Sequence, residues 1–196
     1  MSVGALSVTS VRADSVPAHA ASAGHALGPA DAPATVVVFG TYECLHCRRA
    51  WPALRALADE GLAQVTWHHF APSGAFPYAA TQAAAAEVAA GQGVFWAVHE
   101  ALLDAPAPVG PATLQAVLDA AAKGFELDAA RLHADAASDA VRARVAGHQA
   151  AGVALGVRGT PAAFLVREGR APEPLDARDV DALRAAVVAA AAVAAA

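Results

Sequence analysis

A chain of 196 residues has room for one domain, or for one domain with an insertion, and can bury a core. Its net charge of −5 and near-absence of lysine leave no basic footprint for nucleic acid, and its two cysteines exclude a disulfide framework. The apolar fraction is inflated by alanine, which speaks for helix more than for a large core.

In chain order, residues 1–33 are rich in Ala, Ser, Gly, Pro and His and read as a loose arm, with a short strand near Leu6–Arg12. Met1–Val11 lacks the basic and apolar regions of a leader. The stretch Gly28-Pro29-Ala30-Asp31-Ala32-Pro33 is turn chemistry. Thr35-Val36-Val37-Val38-Phe39 is a continuous β-branched and aromatic run, as in a buried central strand. A helix is expected from Leu45 to about Leu62, with Trp51, Leu54, Leu57 and Ala58 as its apolar stripe and a kink at Pro52. Gln64–Phe70 reads as a second strand. Strand, helix, strand with short links makes a βαβ unit, so these two strands should run parallel.

From Tyr78 to about Ala122 the pattern is helical, punctuated by Gly91, Gly93 and Pro106–Pro111. A further helix over Ser138–Ala154 places Val141, Val145, His148 and Gly152 on one face. Strand character returns at Ala162–Val166, followed by a hairpin turn at Arg167–Arg170. Pro172 and Pro174 weaken the strand after it. Asp176–Ala196 reads as a final helix with Asp179 or Asp181 near its start. Ala185–Ala196 is too short and too alanine-rich for a membrane span. A cytoplasmic protein without a membrane span is the expectation.

The chemistry concentrates at Cys44-Leu45-His46-Cys47, which holds both cysteines of the chain at the start of a helix. A C-x-x-C pair serves as half a zinc site, part of a cluster site, or a redox pair. Structural zinc wants four protein ligands, and no second C-x-x-C or H-x-x-x-H accompanies this one. Most iron–sulfur clusters want four thiolates. A pair placed after a buried strand and at a helix start is what a thioredoxin-like redox motif requires. The helix N-terminus favours a thiolate through its unpaired N–H groups and positive dipole end.

Three blocks resemble the DsbA-like thiol-disulfide oxidoreductase family. The first runs from His25 through Val38-Phe39-Gly40 to Tyr42-Glu43-Cys44-Leu45-His46-Cys47-Arg48-Arg49. The second is Gln92–Leu103, and the third is Gly156-Val157-Arg158-Gly159-Thr160-Pro161. The resemblance implies an α/β chain with a thioredoxin fold and an inserted α-helical domain. The thioredoxin-like part is then 34–70 and 158–196, and the helical insertion is 71–157. It implies thiol-disulfide exchange with protein or low-molecular-weight thiol and disulfide substrates, together with a redox partner protein and no metal or organic cofactor. Cys44 is then the attacking thiol, His46 tunes it, and Cys47 resolves the mixed disulfide. Thr160 and Pro161 are the substrate-binding residues, across a cis bond facing the cysteines.

One departure stands out. Members of the family often carry a buried acid six residues before the first cysteine, where this chain has Val38. Three other readings are open: a glutathione-dependent isomerase of the related kind, whose sites lack the paired cysteines, a thioredoxin-fold binding module, and a metal-binding protein. Elsewhere the plain reading is preferred. His68 and His69 lie on a strand with alternating faces, so one packs and one is solvated. Trp51, Trp67, Phe95 and Trp96 belong to the core. Arg48 and Arg49 lie on a solvated helix face.

Overall fold

The structure is a computed structural model describing residues 24–72, 74–125, 128, 135–167 and 169–194. The strand expected near Leu6–Arg12 lies outside them. Five strands form one sheet in the order β1-β3-β2-β4-β5. They are β1 (His25–Leu27), β2 (Thr35–Gly40), β3 (Gln64–His69), β4 (Ala162–Val166) and β5 (Glu173–Leu175). The parallel pair β2–β3 runs in register from Thr35↔Gln64 to Gly40↔His69. β4 lies antiparallel on the other side of β2, with Val38 opposite Ala163. β2 is therefore central, as its unbroken apolar run requires.

The segment read as a loose arm contributes one edge of this sheet. His25–Leu27 pairs antiparallel with β3. Three residues flanked by Gly and Pro carry too little periodicity to register as a strand. At the far edge, β5 is three residues long and holds Pro174, where a missing N–H is tolerated.

Six helices are present among the described residues. They are α1 (Leu45–Asp59), α2 (Ala79–Gly91), α3 (Phe95–Asp104), α4 (Pro111–Phe125), α5 (Asp139–Ala154) and α6 (Val180–Ala194). α1 runs unbroken past Pro52 and is capped at its C-terminal end by Glu60. Gly61 follows at φ 70°, the left-handed position that glycine fills without strain. Ser138 caps α5 by accepting from the Val141 N–H at 3.3 Å. Asp179 caps α6 by accepting from the Ala182 N–H at 3.0 Å.

Strand alternation divides the core. Val36, Val38, Val65, Trp67, Ala163 and Leu165 point to the face shared with α1 and α6. Val37, Phe39 and Phe70 pack on the opposite face with Leu155 and Val157. Here α5 crosses β3 so closely that a Cβ at Gly152 would strike the Phe70 ring. His68 and His69 are both buried, which corrects the expectation of one solvated imidazole. The two faces of β3 are covered separately: His68 meets His148 of α5 on one, and Trp67 meets Trp51 of α1 and His99 of α3 on the other.

Candidate active site

The site grows from the turn after β2. Gly40, Thr41, Tyr42 and Glu43 lead into Cys44, which is the N-cap of α1 at φ −80° and ψ 114°. A cysteine at this position has the free N–H groups of the first turn at hand. Glu43 is held away from the thiols, because its Oε2 accepts from the Tyr78 N–H at 2.9 Å. Cys44 and Cys47 are both free thiols and both buried. The Cys44 Sγ–H donates to the Thr160 carbonyl oxygen at 3.3 Å, and the Thr160–Pro161 peptide is cis. The fold thus brings residues from the first block and the third block of the sequence to one point.

The two thiols differ in acidity. A hydrogen bond from the Cys47 side chain is the largest influence on Cys44. With Thr160 and the backbone N–H groups of Cys47 and His46 it outweighs partial burial and lowers the thiol to about 5. Cys47 moves the other way. Burial raises it well above an ordinary thiol, and the nearby Cys44 raises it further. His46 has its side chain in solvent and reaches the Cys44 sulfur through its backbone N–H. Val38 is fully buried between Trp67 and Ala163. Carboxylates are absent from the influences on Cys47, among the described residues.

Arg48 corrects another expectation. Its guanidinium leaves the solvated face and turns inward, donating to the carbonyls of Tyr42 (2.8 Å), Leu103 (2.9 Å), Leu102 (3.3 Å) and Ala105. The C-terminal carbonyls of α3 lack helical partners, and a planar five-donor cation satisfies several at once. Arg49 is exposed, as read. Trp51, Trp67 and Phe95 are buried core residues. Trp96 stacks on Trp51 with ring centroids 5.5 Å apart.

Sequence reasoning missed a buried polar layer beneath the site. The Tyr42 hydroxyl lies 3.2 Å from His99 Nδ1. Burial holds His99 well below an ordinary imidazole, so a neutral ring pairs with the Tyr42 hydroxyl. Beyond it sits Glu87, fully buried on α2. The available signal was one acid inside the alanine run of Ala83–Ala90, which a buried helix does not hold without partners. An apolar cavity of about 410 Å³ opens beside Thr41 and Tyr42, between α2 and α5. Neither cysteine lines it.

A family model described as DSBA-like thioredoxin domain matches residues 72–188. The chain belongs to that family. The matched span begins after both cysteines, so membership rests on the inserted helices and the second half of the sheet. Among solved structures, oxidised BdbD from Bacillus subtilis superposes with a TM-score of 0.73 at 20% identity, covering 87% of this chain and 94% of that one. A thioredoxin-like oxidoreductase from Silicibacter pomeroyi gives 0.70 at 24% identity, over 88% and 92%. At these identities the likeness is one of fold. It agrees with the thioredoxin fold and helical insertion expected from the resemblance.

Curated relatives are closer in sequence and longer. The Na(+)/H(+) antiporter NhaA 3 of Salinispora tropica is 36% identical over 167 residues, which is 85% of this chain and 24% of the relative. An NhaA antiporter of Herminiimonas arsenicoxydans is 36% identical over 164 residues, 81% of this chain and 25% of the relative. The chain thus spans about a quarter of the length of the curated relatives it matches. Within the DSBA-like chain, the Cys44–Cys47 spacing is that of a redox-active C-x-x-C pair.

Proposed function

We propose that this chain is a thiol-disulfide oxidoreductase that exchanges disulfides with protein or low-molecular-weight thiols through Cys44 and Cys47. The observation that carries the reading is Cys44 itself. It is an acidic thiol at a helix N-cap, beside the Thr160 carbonyl that precedes cis-Pro161. Only the thiolate attacks, and at pH 7 a thiol lowered to about 5 is almost wholly ionised.

In the reducing direction, the Cys44 thiolate attacks one sulfur of the substrate disulfide. A mixed disulfide forms and the other substrate sulfur leaves as a thiolate. Cys47 then loses its proton and attacks the Cys44 sulfur, which closes the internal disulfide and releases the second substrate thiolate. Two electrons pass from the pair to the substrate, and the reverse order oxidises a dithiol. Thr160 and Pro161 border the attacking sulfur, where an extended substrate segment pairs by its backbone as in edge-strand recognition. The low acidity of Cys47 and the apolar Val38 make deprotonation of Cys47 the demanding step, with water as the relay.

The proposal retains a cytoplasmic setting and a redox partner protein. It does not extend the antiporters' name to this chain. No helix among the described residues is long and apolar enough to cross a membrane. The glutathione-dependent isomerase takes second place because the paired thiols have no use in it.

The test is the equilibrium of the Cys44–Cys47 pair against glutathione, with Cys44→Ser as control. A stabilised thiolate favours the reduced form, so the expected potential lies above thioredoxin's roughly −270 mV and short of the about −120 mV of a strong oxidant. A value at the thioredoxin end supports a reductase in the cytoplasm, and one at the oxidant end removes the cytoplasmic setting. Failure to form an internal disulfide at any poise overturns the redox reading in favour of a binding module.

A further inference from the structure

Glu87 is the most deeply buried acid described, and its two oxygens face different groups. Oε2 accepts from Arg144 Nε at 2.9 Å, and the same guanidinium donates to the Glu87 backbone carbonyl at 3.2 Å. Oε1 faces a ring of imidazoles. His25 Nε2 lies 2.8 Å away, His69 Nε2 3.1 Å and His148 Nδ1 3.7 Å. Burial opposes the charge, yet the bonds from His25 and His69 hold the carboxyl below its ordinary range. These residues come from β1, β3, α2 and α5, where the sheet edge meets the inserted helices.

Tautomers sort the imidazoles. His69 Nδ1 accepts from Trp67 Nε1 at 3.4 Å, so its proton sits on Nε2, facing the carboxylate. His148 Nδ1 accepts from the His69 backbone N–H at 3.3 Å, so that nitrogen carries no proton, and a metal ion binding there takes its lone pair from the amide. His25 is stacked on Phe95, with centroids 3.5 Å apart, which fixes its ring plane. The coordinating atoms of His25, Glu87 and His148 all lie within 4.8 Å of one another. Ligands about 2.0–2.1 Å from a tetrahedral ion stand roughly 3.3 Å apart. The three atoms already bracket that spacing, before any adjustment.

We propose that His25, Glu87 and His148 form a binding site for a divalent transition-metal ion, Zn²⁺ being the best match. Two imidazoles and one carboxylate are a borderline set that suits zinc and its neighbours, whereas calcium and magnesium take oxygen ligands. Binding displaces the proton from His25 Nε2 and exchanges two bonds for metal bonds, the one from His69 Nε2 to Glu87 and the one from the His69 backbone N–H to His148 Nδ1. Arg144 on Oε2 is the outer partner that orients the carboxylate. Entry runs past the partly exposed His25, or through the cavity of about 290 Å³ that Glu87 and Arg144 line. The fourth position is left to water. The site does not include the cysteines. It joins the sheet to the insertion, so its effect is to lock the two together.

The test uses the full chain with Cys44→Ser and Cys47→Ser, which removes the thiols as competing ligands. Equilibrium dialysis against Zn²⁺ is expected to give one ion per chain. Co²⁺ should show the intense visible bands of a four-coordinate ion without a thiolate charge-transfer band. His25→Ala and His148→Ala should each weaken Zn²⁺ by about tenfold or more, the low end of the cost of losing even an outer partner. Circular dichroism monitors the fold of each variant, and the partly exposed His25 keeps the test available if the buried His148 variant unfolds. Absence of Zn²⁺ binding, a six-coordinate Co²⁺ spectrum, or unchanged affinity in the folded His25 variant would overturn the proposal and leave a buried ion-pair cluster.

Discussion

At the scale of single residues, Cys44 and Cys47 share one turn of helix and are pushed in opposite directions. The physical cause is placement. Cys44 collects hydrogen bonds at the open helix end, while Cys47 lies one turn deeper in apolar surroundings. Alkylation of the reduced protein with iodoacetamide should therefore follow a single ionisation near pH 5, with Cys44 as the modified residue. Because the Cys47 side chain is the leading cause, Cys47→Ala should move that midpoint upward towards the ordinary value of about 8.5. His46→Ala keeps its backbone N–H and should move it less. An unmoved midpoint in Cys47→Ala would refute this account of the acidity. The order of the two cysteines was legible from the C-x-x-C at a helix start. The size of the difference was not, since it depends on Thr160, which is adjacent only after β4 has paired with β2.

Among elements, the joint between α1 and α3 rests on one side chain. Arg48 bridges the turn before α1 to the carbonyl end of α3. A lysine keeps the charge but loses the planar fork, and it reaches fewer of these carbonyls. Hydrogen bonds to charged groups contribute roughly 1.5–3 kcal/mol each, so Arg48→Lys should lower stability by about 2 kcal/mol in urea unfolding. A change close to zero would mean that solvent replaces the bridge. Most elements were readable from periodicity. The β-branched run of β2, the short apolar run of β4 and the apolar stripe of α1 each announce their type. The edge strand β1 was not readable, because its order comes from the ladder offered by β3 rather than from its own residues. Arg48 was misread for a related reason. Helical spacing says which way a side chain starts, but not whether orphan carbonyls wait at its far end.

For the molecule as a whole, the acidity of Cys44 couples redox state to stability. In the unfolded chain this thiol titrates near ~8.5, and in the folded reduced protein it titrates at about 5. Between those values the folded state binds fewer protons, so stability rises with pH across the window and is lost as pH falls through 5. The oxidised protein has no such thiol. Calorimetry should therefore find the melting temperature of the reduced form gaining on the oxidised form from about pH 5 to 8.5, flat below that range and falling back above it, where unfolded Cys47 ionises and the buried one stays protonated. A difference independent of pH would argue that Cys44 is not the titrating group.

The sequence by itself determined the thioredoxin-type order of strands and helices, the inserted helical stretch and the paired cysteines. These follow from local periodicity and short spacings that survive in a linear string. Only the tertiary structure decided that His25, His69 and His148 surround one carboxylate oxygen of Glu87, and that both histidines of β3 are buried. Such convergence is set by how α2 and α5 pack across the edge of the sheet. No local pattern encodes a contact between residues that far apart along the chain, so the cluster becomes visible only once the helices are in place.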